Sequence, residues 1–344
     1  MSWLTGLVSI TFRKLTPAEI IGLVKQTPLT SIEWGGDVHV PHGDIKRAAE
    51  VGKMTRNAGL VVSAYGSYYG ETDGLVFDCV LDTAVALGAP SVSPDERWVA
   101  ITLSSAHPQI RRGEPVTRSY VSYPDHTLRV IRVPFKKPGN PEILFERKPA
   151  QSAHCAFSPT DPNLLYFDLD LPPAYWNGSD GKTPRIWILD ISSRNTRPLK
   201  KSFPGPFQTH TSWLWDGSAL AYHGPLPGGG IYLGITTPDG QTRWEQSFPK
   251  ARNYGHVAAD PSRPALILDG DFSTDRLQWL YYDKPNDGTP RLEPICRHQT
   301  EWKSIPGQYS HPHPLADPTG HWIAFNAARR GRSDVFVVDI TEKR

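Results

Sequence analysis

His210-Thr-Ser-Trp-Leu-Trp-Asp-Gly-Ser-Ala-Leu-Ala-Tyr222 reads as a short strand, a tight turn at Asp216-Gly217 and a second strand. The same construction recurs four more times. The copies are Ser91-Val-Ser-Pro-Asp-Glu-Arg-Trp-Val-Ala-Ile101, His154-Cys-Ala-Phe-Ser-Pro-Thr-Asp-Pro-Asn-Leu-Leu-Tyr-Phe167, His256-Val-Ala-Ala-Asp-Pro-Ser-Arg-Pro-Ala-Leu-Ile-Leu268 and His311-Pro-His-Pro-Leu-Ala-Asp-Pro-Thr-Gly-His-Trp-Ile-Ala-Phe325. Further strands fill the intervals, among them Arg185-Ile-Trp-Ile-Leu-Asp190 and Ser333-Asp-Val-Phe-Val-Val-Asp339. Strand, turn, strand and a second hairpin, repeated at roughly 45–65 residues, describe the blades of a β-propeller. Five blades are recognisable.

Upstream the rhythm is different. Leu7-Val-Ser-Ile-Thr-Phe12 predicts a strand, and Thr16-Pro-Ala-Glu19 opens a helix with an N-cap, a first-turn proline and a capping glutamate. Ser31–Gly35 and Val61–Tyr65 predict two more strands. Helices over Asp44–Asn57 and Asp73–Leu87 follow them, with Gly59 and Gly88 as stops. These are three βα units, the pattern of a parallel sheet or barrel. The division falls near residue 90, giving a small α/β segment over 1–90 and a propeller over 91–344.

Composition narrows the function. The 344 residues carry 37 Lys+Arg against 35 Asp+Glu, so no basic surplus marks a nucleic-acid binder. No apolar run is long enough to span a bilayer, and the N-terminus lacks the features of a secretory signal. The reading is a soluble, cytoplasmic protein. Cys79, Cys155 and Cys296 are odd in number and widely spaced, which gives neither a disulfide framework nor a zinc knuckle.

The repeat register makes a functional statement. The first strand of a propeller blade lines the central channel, and histidine opens it in four successive copies, at His154, His210, His256 and His311. Equivalent positions of a radial array converge, so these imidazoles ring one channel mouth. His313 joins them, because residues i and i+2 of a strand face the same side. Pro312 is tolerated between them on an edge strand, and Gln308 stands at the entry. One such histidine reads as a packing residue; four in register with an H-x-H read as a metal site. Imidazole and amide oxygen suit Zn, Fe, Ni or Mn.

Gln308-Tyr-Ser-His-Pro-His313-Pro, His256 in Tyr-Gly-His, His210 in Thr-His-x-x-Trp and Arg185 in Arg-Ile-Trp-Ile-Leu resemble the oligogalacturonate lyase family over about residues 91–344. The resemblance implies a seven-bladed propeller that uses Mn²⁺ and cleaves short oligogalacturonates by β-elimination. It implies His256, Gln308, His311 and His313 as metal ligands, His210 as the base and Arg185 as its electrostatic partner, with His154 a channel or substrate residue. The chemistry suits them: a metal spreads the charge that develops at the uronate carboxylate, and a neutral imidazole can take the C5 proton.

Three positions depart from that family. Thr211 stands where it has Glu, Gly307 where it has Arg, and Phe167-Asp-Leu-Asp170 where it has Cys-His-Glu-Gly. These affect recognition of the uronide more than the metal. Residues 1–90, through Ser31–Asp44 and Val62–Tyr69, resemble the sugar phosphate isomerase/epimerase family, a TIM barrel, over three of its eight units. Glu33, His39 and His42 are read as remnants of its sugar wall, without chemistry. Five blades and three barrel units make the chain read as a fusion of two truncated genes. Two other functions stay open: a non-catalytic, metal-bearing propeller scaffold for sugar or protein, and an isomerase-related activity of the N-terminal part.

Overall fold

The computed structural model describes residues 6–66, 77–87, 97–104, 127–134, 141–152, 154–171, 183–249, 255–270, 275–283, 291–304 and 310–343. The described residues fall into two compact units, one running to Lys148 and the other from Pro149. Among the described residues no helix is long and apolar enough to cross a membrane.

In the first unit, β1 (Gly6–Val8), α1 (Pro17–Val24), β2 (Ser31–Gly35), α2 (Ile45–Asn57), β3 (Val61–Gly66) and α3 (Phe77–Leu87) follow the predicted alternation. The three strands form a parallel sheet in the order β1-β2-β3. Thr16 caps α1 in a full capping box with Glu19, and Asp44 caps α2 by accepting the Arg47 N–H at 2.9 Å. Ile20, Val24, Ile32, Trp34, Val51 and Val62 pack the helices on the sheet.

The first strand is shorter than the sequence predicts, because Ser9–Phe12 turns into a 3₁₀ helix. Buried Ser9 causes this: its hydroxyl accepts the Gly35 N–H at 2.8 Å and bonds His39 at 3.0 Å, drawing the chain off the ladder. The other nitrogen of His39 reaches Leu15 O at 3.2 Å, so its ring is fully used in holding this turn. His42 bonds the Tyr65 hydroxyl at 2.7 Å, and burial raises the carboxyl of Glu33. The unit ends in an antiparallel sheet of β4 (Trp98–Ser104), β5 (Leu128–Pro134) and β6 (Glu142–Arg147).

The second unit is a series of antiparallel meanders. The first holds β7 (Cys155–Phe157), β8 (Leu164–Asp168), β9 (Ile186–Asp190) and β10 (Thr196–Pro198). The next holds β11 (Thr209–Trp213), β12 (Leu220–Pro225), β13 (Ile231–Thr236) and β14 (Thr242–Phe248). The third contains β15 (Val257–Ala259), β16 (Ala265–Leu268), β17 (Arg276–Tyr281) and β18 (Leu292–Arg297). The last has β19 (Leu315–Ala316), β20 (Trp322–Arg329) and β21 (Arg332–Asp339).

Asp and Ser side chains explain the turn signature that repeats between first and second strands. Asp216 Oδ1 accepts the Ser218 N–H, Asp260 Oδ1 the Ser262 N–H and Asp161 Oδ1 the Asn163 N–H, each at 2.9 Å. The core lies between successive sheets. Tyr166, Ile186 and Ile188 meet Trp213, Tyr222 and Tyr232, and Ile267, Leu277 and Trp279 meet Ile323, Phe325 and Ala327. First strands stand side by side, β11 against β15 and β15 against β19. The fold is mainly β and propeller-like, so the first strands carry their opening residues to a common place.

Candidate metal centre

Four of the predicted histidines come together. The rings of His210 and His256 lie 4.3 Å apart, those of His256 and His313 3.8 Å, and those of His256 and His311 5.3 Å. Three of them, His256, His311 and His313, offer nitrogens within 4.8 Å of one another. Gln308 and its neighbour Gly307 lie outside the described residues.

The way the pair His311 and His313 converges differs from the expectation. Strand β19 begins only at Leu315, so strand alternation does not aim these side chains. Instead His313 takes a left-handed backbone, φ +45°, between two prolines that cannot donate to a ladder. The two rings end up stacked at 5.8 Å with planes 24° apart. The carbonyl of Pro312 accepts the Asn326 N–H at 2.7 Å, which ties the turn to β20.

Asp269, which follows β16, organises His256 and His313. Its Oδ1 accepts the backbone N–H of His256 at 2.6 Å, and its Oδ2 accepts Nδ1–H of the same ring at 2.9 Å. The His313 N–H reaches Oδ2 at 3.1 Å. A carboxylate on Nδ1 fixes the tautomer and turns the lone pair of His256 Nε2 toward its neighbours, as in many metal-binding histidines. Gly255 makes room for this contact. A Cβ there would lie 1.7 Å from Asp269 Oδ1, and its φ of +72° also favours glycine.

His210 has a second environment. Its Nδ1 lies 3.2 Å from Gly255 O and 2.7 Å from Nε2 of the fully buried His223. A carbonyl only accepts, so the tautomer that satisfies both contacts carries its proton on Nδ1 and leaves Nε2 a free lone pair. Burial and the neighbouring His256 pull the pKa of His210 down to about 4. The same two causes bring His313 to about 4 and lower His311. Neutral imidazoles are what a divalent cation requires. The donor set, its protonation and the carboxylate beneath it therefore fit a first-row metal.

Arg185 occupies a position the sequence did not anticipate. It is 4% exposed, and its donors are committed: Nε and Nη2 to Asp170 at 2.6 and 3.1 Å, Nη2 to Asp168 at 3.0 Å, and Nη1 to Gln208 O at 2.8 Å. The two acids come from the Phe167–Asp170 stretch. Asp168 Oδ2 also accepts from His154 Nδ1 at 2.7 Å. Among the described residues the buried Thr211 hydroxyl meets no hydrogen-bond partner, and the Thr211 carbonyl accepts the Tyr166 hydroxyl at 2.7 Å.

Sequence reading missed Asp269, His223 and Asp168, yet a signal was present. Each pairs with a histidine that opens a first strand, and the separations are 14 residues for His154–Asp168 and 13 for His210–His223 and His256–Asp269. The partner always lies at or near the far end of the second strand.

No family model matches the chain. An oligogalacturonate lyase of Dickeya dadantii is 24% identical over 227 residues, covering 62% of this chain and 56% of that protein. An oligogalacturonide lyase of Pectobacterium atrosepticum is 24% identical over 225 residues with the same coverage. The chain thus spans little more than half the length of the curated relatives it matches. Among solved structures, an oligogalacturonate lyase in complex with manganese superposes with TM-score 0.56 at 20% identity, covering 74% of this chain and 65% of that one. One from Vibrio parahaemolyticus gives TM-score 0.58 at 19% identity, covering 74% and 66%. These likenesses establish the shared fold.

Proposed function

We propose that the chain is a metal-dependent lyase that cleaves short oligogalacturonates, or a related uronide, by β-elimination. The observation that carries this reading is the convergence of His256, His311 and His313 beside a separately oriented His210. The similarity to oligogalacturonate lyases supports the substrate class. The chemistry is assigned to residues 91–344, and residues 1–90, an α/β segment read as of barrel ancestry, supply no step.

His256, His311 and His313 would hold the cation, with Gln308 as the fourth protein ligand, and manganese is the proposed metal. When bound, the cation would supply Lewis-acid stabilisation of charge on a uronate carboxylate. The remaining work falls to the side chains. His210 Nε2, uncharged at neutral pH, removes the C5 proton. Its depressed pKa would make it a weak base in the free protein; an incoming carboxylate offsets that depression by favouring the imidazolium. Asp269 keeps His256 in one tautomer, and Gly255 O does the same for His210. Arg185 acts through Asp168 and Asp170, because its guanidinium faces them and not the solvent.

The test is ultraviolet absorbance of the C4=C5 unsaturated product when the protein meets digalacturonate and Mn²⁺. Wild-type protein should generate it, and His210→Ala should lower the rate by about 10²–10⁴-fold while still binding manganese. A metal-loaded wild type that gives no product from any short uronide would refute the reading.

A further inference from the structure

The outer strands of the second unit's sheets are not alike. β10 is three residues long and ends at Pro198. β14 and β18 each break register with their neighbour, leaving Arg243 and Ile295 without an opposite residue, and β18 also contains Pro294. Short length, proline and bulges are the devices by which an edge strand resists pairing with another chain. β21 has none of them. It runs for eight residues without proline or lysine, and its register with β20 is unbroken from Trp322↔Asp339 to Arg329↔Arg332. Among the described residues no other strand pairs with its outer side.

The two faces of β21 also differ. Phe336 and Val338 pack on the core that β20 shares with β16 and β17. Val335 and Val337 take the opposite face by strand alternation and are 68% and 50% exposed. The sequence is nearly symmetric about Phe336, with a valine on each side and then Ser333 and Asp339 at equal distances. Charge is divided between the ends. Exposed Arg330 and Arg332 stand at the start of the strand, and exposed Asp339 and Glu342 at its finish.

We infer that β21 pairs antiparallel with β21 of a second copy of this chain, about a two-fold axis through Phe336. A two-fold axis normal to the sheet keeps each face on its own side, so it matches positions of like parity. Val335 then stands opposite Val337 of the second copy, and the Ser333 hydroxyl can donate to Asp339 of that copy. The basic end of each strand lies beside the acidic end of the other, and no like charges meet directly. A parallel partner would set basic end against basic end. The edge is thus the complement of itself, which is the requirement of an isologous interface. None of the metal-centre residues takes part, so this pairing and the lyase reading stand or fall separately.

Sedimentation velocity over a micromolar dilution series reads the assembly. Wild-type protein should approach twice 38.3 kDa as its concentration rises. V335K/V337K sets like charges opposite one another across the axis and should remain at 38.3 kDa throughout. V335K/V337E sets opposite charges there and should recover the dimer, more weakly at high salt. Both positions are exposed, so neither variant disturbs the core, and a far-ultraviolet circular dichroism spectrum matching wild type verifies this. A wild type at monomer mass throughout, or a V335K/V337K protein that still dimerises, would overturn the inference. A wild-type dimer that V335K/V337E fails to restore would overturn the pairing of Val335 with Val337.

Discussion

Asp269 holds His256 twice, by the backbone N–H at 2.6 Å and by the ring Nδ1 at 2.9 Å. On the proposed reading of this cluster as a metal site, affinity should depend on Asp269, which lies behind the ring rather than among the three converging nitrogens. Asp269→Ala frees the His256 ring to rotate and removes the acceptor of the His313 N–H. Manganese affinity measured by calorimetry should fall by about 10–100-fold.

Gly255→Ala tests the same contact sterically. The new Cβ would meet Asp269 Oδ1 at 1.7 Å and Gly270 O at 2.3 Å, at a φ of +72° that side chains disfavour. A strained backbone of this kind costs about 1–3 kcal/mol before the clash is counted. Thermal unfolding should shift down by roughly 4–8 °C, and manganese should bind more weakly.

Acid should destabilise the metal-free protein over a defined window. His210 and His313 stay neutral in the fold down to a pKa of about 4, whereas the unfolded chain protonates them near the ordinary imidazole value of 6.5. Between those values the unfolded state binds more protons, so stability is full above pH 6.5 and is lost as pH falls toward 4. Melting curves from pH 7.5 to about 4.5 should show a Tm that declines only below this upper limit. His210→Gln should make the decline shallower.

Arg185→Ala would leave Asp168 and Asp170 buried without their cation. Breaking a buried pair from one side costs about 3–5 kcal/mol, which denaturant titration would read directly. Arg185→Lys should recover only part, because an ammonium cannot reproduce the fork that Nε and Nη2 make on Asp170.

Asp317 offers a test of the repeated turn. Its Oδ1 accepts N–H groups of His321 at 2.6 Å and Trp322 at 2.8 Å, and its Oδ2 that of Thr319 at 3.0 Å. Asp317→Ala strands three donors and should cost about 3 kcal/mol, seen as a lower Tm with metal affinity little changed.

The turn-flanked repeats and the βα alternation were legible because both rest on local rules: apolar periodicity, Asx turns and helix caps. Thr16 and Asp44 cap where their sequence context predicts. Convergence of His210, His256, His311 and His313 was legible too, since equivalent repeat positions meet. The means of convergence was not. Strand alternation predicts a shared face for His311 and His313, whereas a left-handed turn between prolines produces it. Ser9 shortens β1 through contacts with Gly35 and His39, which sequence distance conceals. Arg185 reads as an electrostatic partner for the base until Asp168 and Asp170 are seen beneath it. Phe167–Asp170, read as a departure affecting the substrate, supplies both of those carboxylates.

Both His210, at φ +48°, and His313, at φ +45°, occupy backbone conformations that glycine would adopt without strain. Selection for thermostability alone would therefore erase these two side chains early, since replacement by glycine relieves the chain where it is least comfortable. Any programme that evolves this protein for robustness needs a functional screen at every round, because the melting temperature would reward the loss of the site.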